Sequence, residues 1–241
     1  MKARINFLVL GMALAGVAGS AQTPTVDTVI EKYVQAIGGK AAIEKLTSRV
    51  MKGTMDNSDD GTTSPVEVYA KAPAWYASIR TVPDYGVVAT VWTGSSGWTK
   101  NPESGVQAIG QTDAAFARRA YDFYREIKLK DLYTAMTASG PVTIVGSEAY
   151  LIQATTADGK EEKLYFDAQN GLLVRWDYER ITFEDGIIPF EVYFDDYREV
   201  DGVKLPFTVR RQTPDYTLTF KFTDVKHNNA VDDAQFAKPE K

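Results

Sequence analysis

The sequence predicts an α+β fold in which an antiparallel sheet curls around helices that cover its concave, apolar face. Three observations predict it. Segments of strand length with alternating apolar and polar residues fill most of the chain, two stretches carry helical spacing instead, and one side of the strands is rich in aromatic residues.

The elements follow in order. Lys2 and Arg4 precede an uncharged run, Ile5 to Ala18, and then Gly19, Ser20 and Ala21, the three parts of a secretory signal peptide. The expectation is export to the periplasm with cleavage near Ala21, leaving residues 22–241 as one domain. No later segment has the apolar length of a membrane-spanning helix. Thr25 or Asp27 is placed to cap a helix in which Val29, Ile30, Tyr33, Val34 and Ile37 share a face, and Gly38 and Gly39 end it. A short second helix, KAAIEKL, follows.

From Ser48 the period changes to two. SRVMKGTM, VEVYAKA, WYASIRTV, VVATVWTG and GWTK read as strands of a meander, separated by Asp, Gly, Pro and Ser clusters. Residues 112 to 136 interrupt them with helical spacing. Phe116, Ala120, Phe123 and Ile127 fall on one face; Leu129, Leu132, Tyr133 and Met136 take a shifted one, so a kink or two helices is expected. Seven further strands follow, from VTIVG to YTLTFKFTDV, with hairpin turns at Asn170-Gly171 and Asp201-Gly202.

In the last four strands the alternation places Leu172, Val174, Trp176 and Tyr178 on one face with Phe190, Val192 and Phe194, then Val203, Leu205, Phe207 and Val209, then Tyr216, Leu218, Phe220 and Phe222. A second sheet, a closed barrel or a curled sheet with helices would each cover that dry side. The two helical stretches favour the curled sheet. Eight of these fifteen residues are aromatic, a composition that suits the lining of an apolar pocket as well as a solid core.

The run VEVYAKAPAWYASIRTVPDYGVVATVWTGSSGWTKNPESGVQAI, residues 66 to 109, resembles the periplasmic lipoprotein carriers of the LolA and LolB type and the related mycobacterial lipoproteins of the LppX type. The pieces that carry the resemblance are Lys71, Pro73, Trp75 and Tyr76, then Gly94 to Gly97 before Trp98, with YFDAQNGLLVRWDYE and VDDAQFAKP as closing segments. The resemblance implies an incomplete antiparallel β-barrel, with helices as plug or lid over a cavity that takes acyl chains. One position departs from it: the arginine that precedes the proline in the carriers, and helps to hold their lid, is Ala72 here.

The function expected is therefore binding or carriage of a lipid, or of the acyl chains of a lipoprotein, with an envelope donor or acceptor protein as a further partner and no catalysis. Trp75, Trp92, Trp176, Phe194, Phe207 and Phe220 are the expected cavity wall, and Phe116, Phe123 and Ile127 the expected lid. The alternative is an envelope interaction module whose core is filled by its own side chains.

Other chemistries find little support. There is no cysteine, so no disulfide, thiolate ligand or acylated cysteine. With 32 acidic against 27 basic residues, the chain lacks the basic excess that phosphate contacts require, and no nucleic-acid partner is expected. DNSDDGTTSPVE, residues 56 to 67, matches the ligand spacing of a calcium loop, but its flanks read as strands and its eighth residue is Thr63, so a polar hairpin is expected. His227, the single histidine, is expected at a solvated strand end. No metal and no cofactor is called for.

Overall fold

Thirteen strands hydrogen-bond side by side into one antiparallel sheet in the computed structural model, which describes residues 23–182 and 186–239. The expected signal peptide lies outside the described residues. The strands are β1 Ser48–Asn57, β2 Thr63–Lys71, β3 Trp75–Val82, β4 Gly86–Thr93, β5 Gly97–Asn101, β6 Gly105–Ala108, β7 Ala135–Ile144, β8 Ser147–Thr155, β9 Glu161–Asp167, β10 Leu173–Thr182, β11 Gly186–Val200, β12 Val203–Gln212 and β13 Thr217–His227. Twelve correspond to segments with readable alternation; β6 is the addition, four residues with only Val106 half-buried and thus no apolar pattern to find.

Their spatial order is β6-β5-β4-β3-β2-β1-β13-β12-β11-β10-β9-β8-β7. Two meanders meet where β1 pairs with β13. Strands β6 and β7 are consecutive in the chain yet form the two outer edges of the sheet, so the segment between them must travel from one edge to the other. That segment is the middle helical stretch. An edge-to-edge connection over a curled sheet is shortest across the concave side, which puts its apolar face where the sheet needs a cover. The result is an incomplete barrel, open between β6 and β7.

Irregularities accentuate the curl. Register shifts occur between Lys52 and Gly53 in β1, Leu173 and Arg175 in β10, and Ser139 and Val142 in β7. The shift in β1 requires its glycine: a Cβ on Gly53 would lie 2.0 Å from the carbonyl oxygen of Lys221. The shift in β10 corrects the expected face of that strand. Leu173 is buried, while Leu172 and Val174 are only half-buried; past the bulge Trp176 and Tyr178 point inward as expected.

Helix α1, Val26–Ala36, starts at Thr25, whose Oγ1 accepts from the Thr28 amide at 3.2 Å. It buries Val29, Ile30 and Tyr33, and Ile37 just beyond its end, against the β8–β11 half of the sheet. Gly38 ends it at φ 119°, where a Cβ would stand 2.2 Å from the Gly202 carbonyl oxygen, and the Lys204 amide donates to the Ile37 carbonyl at 2.9 Å. The helix is thereby joined to the β11–β12 hairpin, whose turn residues Asp201 and Gly202 both have positive φ; at the other predicted turn only Gly171 does. Helix α2 is a single turn, Lys40–Ile43.

The middle stretch differs from its periodicity. Helix α3 covers Gln111–Ala120 and stops; Arg125–Ile127 and Leu129–Leu132 form short 3₁₀ turns, and Met136 already belongs to β7. Tertiary hydrogen bonds take over from the helix. The Phe123 amide donates to the Pro73 carbonyl (2.9 Å), Asp122 Oδ1 accepts from the Tyr124 amide (2.8 Å), and the Tyr124 hydroxyl donates to the Leu46 carbonyl (2.9 Å). An aspartate that satisfies an amide two residues ahead offers the backbone an alternative to the next helical turn.

The outer face of β9 to β12 is polar and cross-linked. Asp177 and Glu191 stand opposite each other in register, an unfavourable pair, and Arg175 resolves it by donating to both at 2.6 Å. Tyr193, an aromatic residue on this polar face, donates its hydroxyl to Glu191 at 2.6 Å, while the Arg210 guanidinium lies 4.4 Å from its ring. The calcium-like segment is the β1–β2 hairpin: Asp56 accepts from Lys221 and Thr63, Asp60 from Thr62, and Glu67 from Lys52 and Tyr69.

Candidate ligand-binding cavity

Between α1, α3 and the concave face lies a cavity of about 390 Å³. Strands from both meanders reach it, β1 to β4 on one side and β10 to β13 on the other, so the curl of the sheet creates the space. Its wall is largely aromatic and aliphatic. Tyr33 and Ile37 come from the α1 end, Phe116 and Ala120 from α3, Tyr121 just after it, and Trp176, Tyr178, Phe194, Tyr197, Phe220 and Phe222 from the strands.

The structure distributes the expected wall residues over three environments. Trp176, Phe194 and Phe220 line the cavity. Trp92 also points to the concave side, in register with cavity-lining Tyr76, but it is fully buried beneath Ala114 and Ala117 of α3. Phe207 is buried within a cluster of β1, β2, β12 and β13 residues, with the Arg198 guanidinium 4.6 Å from its ring centroid. Trp75 lies on the opposite face. Its ring meets Phe236 edge-on at 5.2 Å, where the C-terminal turn Asp233–Phe236 covers the convex side of β3 and β4.

The residues expected as lid separate likewise. Phe116 sits on α3 and faces the cavity, its ring parallel to that of Trp176 with 5.8 Å between centroids. Phe123 and Ile127 follow the helix in and around the first 3₁₀ turn. Phe123 is buried in the main core and Ile127 packs against that core, so neither faces the cavity.

Sequence reading missed the contribution of β3. Tyr76, Ser78 and Arg80 line the cavity, while the more apolar set Trp75, Ala77 and Ile79 faces away. The apolar set is the natural choice for an inner face, but here the C-terminal turn claims it. Tyr76 stacks on Tyr121 at 4.0 Å with the rings 4° from parallel, and burial raises the pKa of both phenols. Arg49, Arg211, Glu126 and Lys204 add charge to the rim and wall. Burial lowers the pKa of Arg80, with the positive charge of Arg211 as the next cause.

Ion pairs, one of them buried, hold α3 over the sheet. Arg119, near the end of the helix, donates through Nη2 to Glu162 of β9 at 2.8 Å, and Nη1 lies 3.4 Å from Asp158. Glu162 is 2% exposed and accepts two further bonds, from the Tyr133 hydroxyl (2.6 Å) and the Trp176 indole N–H (2.9 Å). At the other end of the helix Asp113 accepts from Arg180 of β10 at 2.6 Å. Ala72, which stands where the carriers have their arginine, packs its side chain against the main core and donates its amide to the Thr47 carbonyl at 2.9 Å.

His227 corrects its expectation. It ends β13 but is 6% exposed rather than solvated, because Arg49 donates through Nε to its Nε2 at 3.1 Å and Asp201 lies 3.3 Å from Nδ1. Burial, and then the Arg49 charge, lower its pKa, so the ring is neutral at neutral pH. A second recess, lined by Ser95, Ser96, Gln111 and Arg118 among others, has none of the aromatic lining of the first.

No protein-family model matches the sequence, and no curated protein matches it. Solved structures do. A DUF1329 family protein from Desulfovibrio piger aligns with a TM-score of 0.59 at 16% identity, covering 88% of this chain and 97% of that one. A LolA superfamily protein from Nitrosomonas europaea aligns with 0.58 at 13% identity, covering 89% and 98%. A putative outer membrane lipoprotein-sorting protein domain from Vibrio parahaemolyticus gives 0.58 at 10%, covering 87% and 96%. The chain shares the LolA-like fold with these proteins, as the resemblance implied. At such identities the likeness is one of fold.

Proposed function

We propose that the protein binds and carries a lipid, or the acyl chains of a lipoprotein, in the bacterial periplasm, after removal of the signal peptide. The observation that carries this reading is the aromatic cavity between the curled sheet and α3. At about 390 Å³ it falls in the size range of small-molecule sites, roughly 300 to 1,000 Å³. With each methylene given about the 30 Å³ share of a liquid water, it has room for about a dozen. Each methylene taken from water gains about 0.8 kcal/mol, so such a chain offers about 10 kcal/mol before the costs of association. The fold shared with the lipoprotein-sorting domain supports the same reading.

Release is the harder half of carriage. In this proposal α3 and the residue after it are the cover: Phe116 rests on Trp176 and Tyr121 on Tyr76, so the cover occupies apolar surface that a hydrocarbon chain would otherwise use. Competition for one surface keeps the free and loaded states close in free energy, and cargo is surrendered when an acceptor tips the balance. Phe116 is the residue that performs this exchange, with Trp176, Phe194 and Phe220 as the wall beneath it.

The test is binding of uncharged phenylnaphthylamine, followed by its fluorescence, together with native mass spectrometry of gently purified protein. A carrier binds the dye, releases it to a phospholipid, and arrives with bound lipid. A protein that binds no dye and carries no lipid is the alternative, an envelope interaction module.

A further inference from the structure

Arginine inside an apolar cavity needs a partner, and two of the cavity arginines have no carboxylate partner among the described residues. Arg80 comes from β3 and Arg211 from β12, strands separated along the sheet by β2, β1 and β13, and both side chains line the same space. Neither forms an ion pair with a carboxylate among the described residues. The one side-chain hydrogen bond of Arg80 runs from Nη1 to the sulfur of Met55 at 2.9 Å, a weak acceptor. Arg211 makes none there: its Nε is buried without a partner, and its guanidinium sits 5.1 Å from the ring centroid of Phe190.

The neighbours sharpen the contrast. Arg49, also on the cavity wall, is engaged with His227. Arg119, Arg175, Arg180 and Arg198 all hold carboxylates. A guanidinium presents five N–H donors in a fixed fork, so most of the ten donors of the half-buried Arg80 and Arg211 meet no side-chain acceptor among the described residues. Two like charges in a poorly solvated wall oppose each other, and an anion set between them removes that repulsion while filling the donors. The one acidic side chain of the lining, Glu126, forms no ion pair with either arginine among the described residues.

We infer that Arg80 and Arg211 form a headgroup site, and that the cavity takes an amphiphile with an anionic carboxylate or phosphate group rather than a neutral lipid. This inference rests on the proposed cavity function and adds the polar end of the ligand to it. The acyl chain lies along the Phe116, Trp176, Phe194 and Phe220 surface, and the anion is gripped from both meanders at once.

Displacement of uncharged phenylnaphthylamine tests it, with dodecanol, dodecanoate and dodecyl phosphate as competitors of one chain length. The expected result is that at least one anion displaces the dye at a concentration about tenfold to a hundredfold below dodecanol, the span of a charge-assisted hydrogen bond. The better of the two anions identifies the source as carboxylate or phosphate. Arg80→Gln and Arg211→Gln each reduce that advantage, read as the ratio of anion to dodecanol competition within each variant, and their melting curves show that they are folded. In the unaltered protein, raising salt from about 0.01 M to about 1 M shortens the screening length from about 30 Å to about 3 Å and weakens anion competition selectively. Dodecanol that competes as well as both anions overturns the headgroup site and leaves the lipid cavity standing. A protein that binds no dye overturns the cavity reading, and the headgroup site with it.

Discussion

Glu162 is the point at which the cover, the core and the cavity wall are tied together, and replacing it with alanine is expected to cost about 5 kcal/mol of folding stability. Breaking a buried ion pair by removing one partner costs about 3 to 5 kcal/mol, because the other charge stays buried. Arg119 keeps the Ala115 carbonyl at 3.0 Å and Asp158 at 3.4 Å, which favours the lower end of that span. Two further donors lose their acceptor, the Tyr133 hydroxyl and the Trp176 indole N–H, at about 1 kcal/mol each. Arg125, buried with its guanidinium 4.4 Å from the Trp176 ring, also loses the nearby negative charge. Urea denaturation followed by circular dichroism reads the loss. With a slope of about 3 kcal/mol per molar, the midpoint falls by about 1.7 M. Combining Glu162→Met with Arg119→Met removes both charges and returns most of the loss, since an apolar pair of similar volume is often as stable as the salt bridge it replaces. A Glu162→Ala protein that loses less than about 1 kcal/mol would show that α3 is not held by this network.

Ala120 faces the cavity from α3, and Ala120→Trp is expected to weaken phenylnaphthylamine binding at least about tenfold, or about 1.4 kcal/mol, with no fall in melting temperature; unchanged dye binding would place the ligand elsewhere. Trp75→Phe should leave dye binding unaltered, since Trp75 packs on Phe236 across the sheet, whereas Trp176→Phe should change both affinity and the quenching of protein fluorescence. The depressed pKa of His227 makes the unfolded chain take up the proton first as pH falls. The stability due to its neutral ring is fully present above pH 6.5 and is lost as pH falls from there through the folded pKa; a denaturation series across that range should flatten in His227→Gln. Gly53→Ala is expected to cost about 1 to 3 kcal/mol in melting experiments, because the new methyl would meet the Lys221 carbonyl at the β1–β13 junction.

Residue order alone determined the strand inventory, the two helical regions and the dry face of β11 to β13, because side-chain alternation is a local property of an extended chain. Trp176, Phe194 and Phe220 could be picked out in this way, each from the parity of its own strand, and Phe116 from the helical spacing of its segment. What the sequence could not determine is which face of β3 is inner. Trp75 looks like an inner residue until Phe236, more than 150 residues later, folds onto it from outside and leaves Tyr76, Ser78 and Arg80 to the cavity. The length of α3 was likewise settled by contacts distant in sequence, the Phe123 amide with Pro73 and Tyr124 with Leu46. The approach of Arg80 to Arg211 exists only because β1 pairs with β13 and brings two meanders around one space. Local periodicity records how each segment divides water from oil; only closure of the whole sheet decides which dry surfaces meet protein and which are left facing a void.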